Sequence, residues 1–301
     1  MTIPANTVLV LGAGASVDYG FPLGGHLKTN IIAMTKPRGR GAQFLLQSGY
    51  EQSKIEEFHR SLTALTHLTT IDTFLLRRKE FRDIGVLMIA KCLLAKERPK
   101  KHWEPRGWYV ELLRVVDFDT PEKPPPLKAI ITFNYDRSLE YFLTRNVDFY
   151  HDAGSHRDAL LRKTEDIPVV HVYGSLGSLQ SHGYGADGME VDDLRKRVGQ
   201  AAEQIKMVYD KVDSAPTVQK AQALLAEASA VIFLGFGYDK DNLRRLAVPD
   251  SENEHHFFGT AMNEGEERLR NIRVLFKSRI TLGGRNQDIA AFLRDTPFDQ
   301  G

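Results

Sequence analysis

The stretch spanning residues 7–25 constrains this chain most strongly. Residues 8–11 (VLVL) form an apolar run of strand length, residues 12–16 (GAGAS) follow directly, and residues 20–25 (GFPLGG) precede a segment with helical spacing. A buried strand that leads through a glycine turn into a helix N-terminus is the arrangement with which α/β proteins hold a pyrophosphate. The alternative is an ordinary tight turn without a ligand, although two glycine clusters exceed what such a turn requires.

The composition is that of a globular protein, and it excludes several functional classes. The chain has 301 residues, of which 42% are hydrophobic and 26% are charged, and its net charge is +1. That charge creates no general attraction for nucleic acid, and no apolar run approaches the roughly 18 residues of a membrane span. The single cysteine, Cys92, excludes an intramolecular disulfide and a multi-cysteine zinc site. Because the first residues lack the basic and apolar parts of a signal peptide, we expect a cytoplasmic protein, and we expect no metal.

A long helical stretch interrupts the α/β pattern. No strand signal occurs in residues 42–101, whereas apolar residues recur there at helical spacing. Residues 70–73 (TIDT) supply a cap for a helix that begins near Phe74. We therefore expect a single domain over residues 1–301 with a helical insert over residues 42–116.

The rest of the chain alternates apolar strands with helices. Buried strands are predicted at residues 128–133, 168–173 and 230–234, with shorter candidates at 256–258 and 272–276. Helical spacing is found at residues 23–34, 137–144, 192–211, 218–228 and 289–294. This alternation predicts an α/β fold, with a Rossmann-like, mainly parallel sheet, helices on both faces and an inserted helical subdomain.

Glycine and polar residues end the predicted strands. The segments concerned are GAGAS (12–16), FNYD (133–136), HVYGS (171–175), LGFGYD (234–239) and, less clearly, FGTA (258–261). In an open α/β sheet, ligands bind beyond the carboxyl ends of the parallel strands, so these segments are expected to converge on one rim.

Two familiar nucleotide sites do not fit this pattern. A dehydrogenase fingerprint of the form G-x-G-x-x-G requires a glycine at position 17, where the chain has Val17. The fingerprint also requires an acidic residue about 20 positions later, at the end of a second strand, and no such strand is predicted there. A Walker lysine motif is also absent from the sequence, which argues against hydrolysis of nucleoside triphosphates.

The ordered set of motifs resembles the sirtuin-like NAD-binding family. The motifs are Gly12-Ala13-Gly14-Ala15-Ser16, Gly20-Phe21-Pro22, Asn134-Tyr135-Asp136, a strand end from His171 to Ser175, and Gly235-Phe236-Gly237. The resemblance spans roughly residues 7–262. Residues 70–94 are also similar to the helical insert of bacterial sirtuin-like defence proteins, so the antiphage-defence NADase branch is the part of the family that this chain resembles.

The resemblance implies an activity and partners. It implies an NAD glycohydrolase that cleaves the nicotinamide–ribose bond to give nicotinamide and ADP-ribose, with NAD as the substrate. In that family such effectors deplete NAD on phage infection and are switched on by assembly or by a partner. We therefore expect a homo-oligomer and, as a partner class, a HerA-type hexameric ATPase, with no membrane and no direct nucleic-acid contact.

The resemblance also assigns roles to residues at the strand ends. Asn134 orients a water or a ribose hydroxyl, Asp136 stabilises positive charge or caps the following helix, and His171 accepts a proton or is a hydrogen-bonded core histidine. Asp239 contacts the adenosine half or caps a helix at residues 242–246. The full set of expected NAD-binding residues is Gly12, Ala13, Gly14, Ser16, Phe21, Pro22, Tyr173, Gly174, Ser175, Gly235, Gly237, Tyr238 and Asp239.

Two departures from the family keep other functions open. A sirtuin deacetylase carries a four-cysteine zinc module, which one cysteine cannot build. The family's catalytic histidine aligns with Tyr173, and His171 lies two residues earlier, where strand alternation predicts that both side chains share one face. The alternatives are therefore a non-catalytic module that senses NAD or ADP-ribose, and a zinc-free sirtuin-like protein deacylase.

Three further segments have a functional and an ordinary interpretation. The glycine-rich residues 182–188 (HGYGADG) form a mobile lid or a plain loop. The basic residues 36–41 (KPRGRG) contact a phosphate or form a solvated loop. The acidic and histidine-containing residues 251–256 (SENEHH) bind a metal or, as we expect, are simply solvated.

Overall fold

Six parallel strands form the central sheet of the computed structural model. The model describes residues 3–65, 69–102, 106–116, 125–150, 166–186, 188–207, 215–248 and 256–298. The strands are β1 (Thr7–Leu11), β2 (Leu127–Thr132), β3 (Val169–His171), β4 (Ala230–Leu234), β5 (His256–Gly259) and β6 (Ile280–Leu282). Their order is β3-β2-β1-β4-β5-β6. The mainly parallel, Rossmann-like sheet that the sequence predicts is confirmed.

The middle strand β1 is buried on both faces, which explains its uninterrupted apolar sequence. Leu9 and Leu11 belong to the core on one face of the sheet, and Val8 and Val10 belong to the core on the other. Val8 pairs with Ala129 of β2 on one side and with Val231 of β4 on the other. All five residues of β1 are buried, as is typical of a parallel strand covered by helices on both faces.

Helices cover the sheet and connect its strands. Before β2 they are α1 (Gly24–Thr35), α2 (Arg40–Gln47), α3 (Gln52–Thr63), α4 (Ile71–Arg77), α5 (Arg82–Leu94), α6 (Pro99–His102) and α7 (Trp108–Val115), with short 3-10 helices at Ala13–Tyr19 and Lys79–Phe81. After β2 they are α8 (Ser138–Tyr150), α9 (Leu179–His182), α10 (Val191–Gln204), α11 (Pro216–Ala226), α12 (Lys240–Arg245), α13 (Glu266–Leu275) and α14 (Ile289–Asp295). No helix among the described residues is long and apolar enough to cross a membrane.

The long helical stretch is present where the sequence predicts it. Within the described part of residues 40–116, every regular element is a helix. Thr70 is the N-cap of α4, and its hydroxyl accepts a hydrogen bond from the backbone N–H of Thr73 at 3.2 Å, as predicted. The boundaries of the insert at 42 and 116, and the single domain over residues 1–301, stay predictions.

The predicted strand at residues 272–276 is wrong, because this segment ends helix α13. Leu269, Ile272 and Phe276 are buried at intervals of three and four residues, while Val274 is 74% exposed. Such spacing places one helical face in the core and is incompatible with the alternation of a strand. The last strand is instead β6, in which Ile280 pairs with Phe257.

Two other predicted elements are shorter than expected. β3 ends at His171, and the chain then turns through Gly174, whose φ is +74°. Helix α10 ends at Gln204, and Lys206 donates its backbone N–H to the carbonyl of Tyr173 at 2.8 Å. The predicted end of that helix at 208–211 and most of segment 251–256 lie outside the described residues.

Candidate functional site

The turn after β1 rests directly on the turn after β4. Gly14 donates its backbone N–H to the carbonyl of Gly235 at 2.9 Å. A Cβ at Gly12 would lie 2.6 Å from the Gly235 carbonyl oxygen, and a Cβ at Gly14 would lie 2.8 Å from the Gly235 Cα. The strand order reverses between β1 and β4, which is where open α/β sheets form their ligand crevice. The glycines of the opening turn therefore have a packing function here, besides any contact with a phosphate.

A hydrogen-bond network joins the opening turn to the end of β2. The Ser16 hydroxyl donates to the Asp136 carboxylate at 2.6 Å. The Asn134 side-chain amide donates to the Gly12 carbonyl at 2.9 Å and to the Ser16 hydroxyl at 3.0 Å. Three predicted site residues from two distant segments thus lie together.

Asp136 occupies the capping position that the sequence left open, and its role in stabilising positive charge stays a prediction. Its carboxylate accepts hydrogen bonds from the backbone N–H and the hydroxyl of Ser138 at the start of α8, and it also holds Ser16 of the opening turn. Burial raises the pKa of the Asp136 carboxyl, and the hydrogen bonds from Ser138 and Ser16 oppose that increase. The carboxylate is therefore a fixed acceptor at the base of the site.

His171 is held at both ring nitrogens. Its Nδ1 lies 2.8 Å from the Asn134 carbonyl oxygen, and its Nε2 lies 2.7 Å from Oε1 of Glu140 in α8. Because a carbonyl only accepts, Nδ1 carries a proton. Burial disfavours the charged ring, but the Glu140 carboxylate outweighs it, so the pKa of His171 lies above its ordinary value. The ring is therefore held between the Asn134 carbonyl and the Glu140 carboxylate.

Tyr173 does not share a face with His171, so that prediction is wrong. The strand ends at His171, and the backbone turn that follows carries Tyr173 into the core on the opposite face of the sheet. The Tyr173 hydroxyl donates to Asn242 and accepts from Arg245 at 2.9 Å, both on α12. Burial raises the pKa of Tyr173 to about 12, although Arg245 opposes the increase.

The residues that follow Tyr173 have structural contacts of their own. A Cβ at Gly174 would lie 1.9 Å from the carbonyl oxygen of Gln204, so this position packs tightly against the end of α10. Ser175 accepts the backbone N–H of Gly177 at 3.2 Å. Both residues are half-buried.

Some residues of the opening segment lie in the core and others lie at the surface. Phe21 is buried and packs on His102, with ring centroids 5.6 Å apart. Pro22 is half-buried, and Ala13 is exposed on the rim. Of these predicted NAD-binding residues, only Ala13 and Pro22 expose surface, and their contact with NAD stays a prediction.

The turn after β4 is organised by helix caps and cross-links. Asp239 accepts the backbone N–H groups of Asp241 and Asn242 at 3.0 Å each and so caps α12, which is the alternative that the sequence left open. The buried Tyr238 donates its hydroxyl to the Thr260 carbonyl. Gly237 is exposed, and its carbonyl accepts from Arg268 at 2.7 Å. The role of this segment beside adenosine stays a prediction.

Two described residues of the glycine-rich segment 182–188, Tyr184 and Gly185, have fixed contacts. The Tyr184 ring stacks on Tyr141 with centroids 4.0 Å apart. The backbone N–H of Gly185 donates to Glu97 at 2.9 Å, and that carboxylate forms a buried ion pair with Arg137. These contacts favour the loop interpretation over the mobile lid.

Sequence reasoning missed the residues that support the predicted ones. Glu140 pairs with His171, Arg245 holds Tyr173, and Trp108 of α7 donates its ring N–H to the Ala15 carbonyl at 2.7 Å. An acid in the first turn of the helix after Asn134 was the available signal for Glu140. The other two contacts join distant segments and leave no local pattern.

The space enclosed by these residues is small. A cavity of about 10 Å³ lies between the opening turn, α7 and the ends of β2 and β3, and Ser16, Asn134, Asp136 and Glu140 line it. This volume admits about one water molecule, so this cavity by itself is too small for a dinucleotide. Among the described residues, no three histidine, cysteine or acidic side chains come together to hold a metal ion.

Comparison with known proteins points in the same direction as the motifs. Residues 128–264 match the family model of the SIR2-like domain. The match supports a sirtuin-like family. This SIR2-like segment includes Asn134, Asp136, His171 and the turn after β4, whereas the opening turn lies before it. No curated protein matches the chain.

Solved sirtuin structures are similar over most of the chain but at low scores. Sir2Tm bound to a propionylated peptide is 14% identical with a TM-score of 0.44, and the alignment covers 96% of this chain and 90% of that one. A SIR2 in complex with an inhibitor, 2′-O-acetyl-ADP-ribose and a deacetylated p53 peptide is 17% identical with a TM-score of 0.40 and the same coverage. Likeness of this degree says nothing about individual site residues.

Proposed function

We propose that the protein is an NAD glycohydrolase that converts NAD and water to nicotinamide and ADP-ribose. One observation carries the proposal: Ser16, Asn134, Asp136 and His171 form one continuous hydrogen-bond network at the carboxyl ends of β1, β2 and β3. These side chains supply an amide, a carboxylate and an imidazole, where a glycosidic cleavage needs groups that orient a nucleophile and stabilise a cationic sugar. The SIR2-like match supports an NAD-dependent activity.

In this proposal, Asn134 orients the attacking water or a ribose hydroxyl. Its amide can donate and accept, and rotation away from Gly12 and Ser16 frees it for a ligand. Asp136 provides negative charge beside the oxocarbenium-like sugar. The predicted role of His171 as the proton acceptor requires an unprotonated Nε2 that has separated from Glu140, because Nδ1 already carries a proton.

Replacement of the Asn134 side chain tests this proposal. We expect Asn134→Ala to reduce nicotinamide release from NAD by about 100-fold or more, since it removes the orienting group. Asn271→Ala is the matched control, because Asn271 is exposed on α13, far along the chain from the network. Chromatography of the products measures the rate, and thermal unfolding verifies that both variants fold. Wild-type turnover in a folded Asn134→Ala protein would disprove the assignment.

A non-catalytic NAD or ADP-ribose sensor is the second candidate. Two observations favour it. Tyr173 stands where the family has its catalytic histidine, and its hydroxyl is held by Asn242 and Arg245. Both ring nitrogens of His171 also have hydrogen-bond partners already. Calorimetry with NAD distinguishes the two functions. A sensor binds NAD stoichiometrically and releases no nicotinamide under any activating condition.

We further propose that the enzyme is a cytoplasmic antiphage-defence effector that is switched on by homo-oligomerisation or by a HerA-type hexameric ATPase. The support for this proposal is the helical stretch between β1 and β2, in which residues 70–94 resemble the insert of bacterial sirtuin-like defence proteins. NAD turnover and the oligomeric state of the purified protein, measured with and without the product of the adjacent gene, test this regulation. Equal turnover in both conditions argues against a partner.

A further inference from the structure

Helices α1, α2 and α3 enclose a second cavity, which the proposed activity does not use. Its volume is about 650 Å³, within the range of small-molecule sites. Ala42, Leu46 and Ile55 supply apolar surface, and Arg38, His59 and Arg60 supply polar groups. No residue of the strand-end network lines this cavity. It is therefore a separate space in the fold.

The charges around this α1–α3 cavity favour an anion. Arg38 and Arg60 are both exposed, and neither forms an ion pair with any described residue. Glu56, the acid in the cavity wall, already accepts a hydrogen bond from Gln52 at 2.7 Å. Two arginines without carboxylate partners on one cavity supply planar donors suited to phosphate.

Backbone geometry presents one of these arginines beside a helix N-terminus. Arg38 has a φ of +61°, an uncommon conformation for a residue with a side chain. Gly39 follows as the N-cap of α2, and Ala42 and Gln43 in the first turns of that helix line the cavity. The positive end of the helix dipole adds to the charge of Arg38.

His59 and Thr35 hold the wall of the cavity in place. His59 Nδ1 lies 3.2 Å from the Thr35 hydroxyl, which also donates to the Ile31 carbonyl at 2.8 Å. This link joins the last turn of α1 to α3, so this part of the cavity wall is fixed.

We propose that the α1–α3 cavity binds a small organic phosphate ester, with the phosphate between Arg38 and Arg60 and the organic part against Leu46 and Ile55. The basic segment 36–41, which the sequence left open as a phosphate contact or a solvated loop, supplies one side of the site. The proposal does not depend on NAD cleavage, because it concerns different residues.

Isothermal titration calorimetry with three probes tests this site. We expect phenyl phosphate to bind saturably at concentrations up to about 10 mM, with inorganic phosphate weaker and phenol weakest. The double variant Arg38→Ala/Arg60→Ala should weaken phenyl phosphate binding roughly tenfold or more. Arg40→Ala is the matched control, because Arg40 is exposed at the start of α2 and does not line the cavity, and it should bind as the wild type does.

Several outcomes overturn this proposal. The first is that phenyl phosphate does not bind saturably. The second is that the wild type and a folded double variant bind phenyl phosphate equally tightly. The third is that phenol binds as tightly as phenyl phosphate. Equal loss in Arg40→Ala also contradicts it, since a general charge effect then explains the binding. Because no measurement uses NAD, a failed glycohydrolase assignment leaves these outcomes unchanged.

Discussion

The absence of a side chain at Gly14 allows the turn after β1 to lie on the turn after β4. At Gly14 a Cβ would lie 2.8 Å from both the Cα and the carbonyl oxygen of Gly235, and both neighbours are backbone atoms that cannot rotate away. The glycines of GAGAS were predicted to let a ligand approach the backbone. In the structure, Gly12 and Gly14 instead allow the backbone of the turn after β4 to approach closely. The partner that requires them is more than two hundred residues away in sequence, so no local pattern identifies it.

We expect Gly14→Ala to destabilise the protein by about 1–3 kcal/mol, because the added methyl forces the two turns apart. Urea unfolding measures the change. Gly199→Ala is the control: Gly199 lies inside α10 with no atom within 4 Å of its added Cβ, and alanine should stabilise that helix by about 0.5–1 kcal/mol. A Gly14→Ala protein as stable as the wild type contradicts the packing explanation.

Glu140 sets the protonation of His171. We expect Glu140→Gln to lower the pKa of His171, because the carboxylate raises it in the wild type. The folded-state pKa lies above the unfolded value of about 6.5, so this stabilisation is complete below that value and is lost as the pH rises through the folded-state pKa. An NMR titration of the His171 ring measures the pKa directly.

The same substitution changes the pH dependence of stability. The difference in unfolding free energy between the wild type and Glu140→Gln should be larger at about pH 5.5 than at about pH 8.5. Glu203→Gln, an exposed position on α10, should show no such dependence. If His171 titrates identically in the wild type and in Glu140→Gln, the ion pair does not control its charge.

At the scale of elements, one buried ion pair holds three segments together. Arg137, directly after Asp136, contacts Glu97 through a bidentate pair and also donates to the Gly177 carbonyl at 3.0 Å. Glu97 in turn accepts the backbone N–H of Gly185. The loop after α5, the start of α8 and the glycine-rich segment are therefore fixed relative to one another.

We expect Glu97→Ala to cost about 3 kcal/mol or more, because it leaves the Arg137 charge buried without a partner. Glu97→Gln, which retains an acceptor, should cost less, and the exposed Glu267→Ala should be nearly neutral. Proteolysis within residues 182–188 should accelerate in Glu97→Ala. Unchanged stability and unchanged proteolysis would restore the mobile-lid interpretation.

Helices and strands with a strong periodicity of apolar residues were predictable from the sequence. Elements whose structure depends on long-range packing were not. The buried runs of β1, β2 and β4 and the cap of α4 at Thr70 follow from local sequence. Residues 272–276 read as a strand because isoleucine, valine and phenylalanine favour strands, yet the positions buried on either side of Val274 have helical spacing. Long-range packing outweighs β propensity in that segment.

For the whole molecule, the sequence predicts a parallel sheet and a common rim but not the contacts across that rim. Asn134, Asp136 and Ser16 meet as the convergence of strand ends predicts. The separation of His171 from Tyr173 was not predictable, because it depends on where β3 ends and on the helix α12 that holds Tyr173. The α1–α3 cavity likewise results from helix packing, which short-range patterns do not encode.

The position of β1 in the sheet also affects how the chain folds while it is being synthesised. This strand is made before both of its partners, β2 (Val8–Ala129) and β4 (Val8–Val231), so its second edge is paired only after residue 231 has been made. At the usual rate of translation of about 5–20 residues per second, that delay is on the order of 10–45 s. Throughout it, an apolar strand with an open edge is exposed to other nascent chains. We therefore expect chaperones that shield β1 during synthesis to raise the yield of folded protein in a cell.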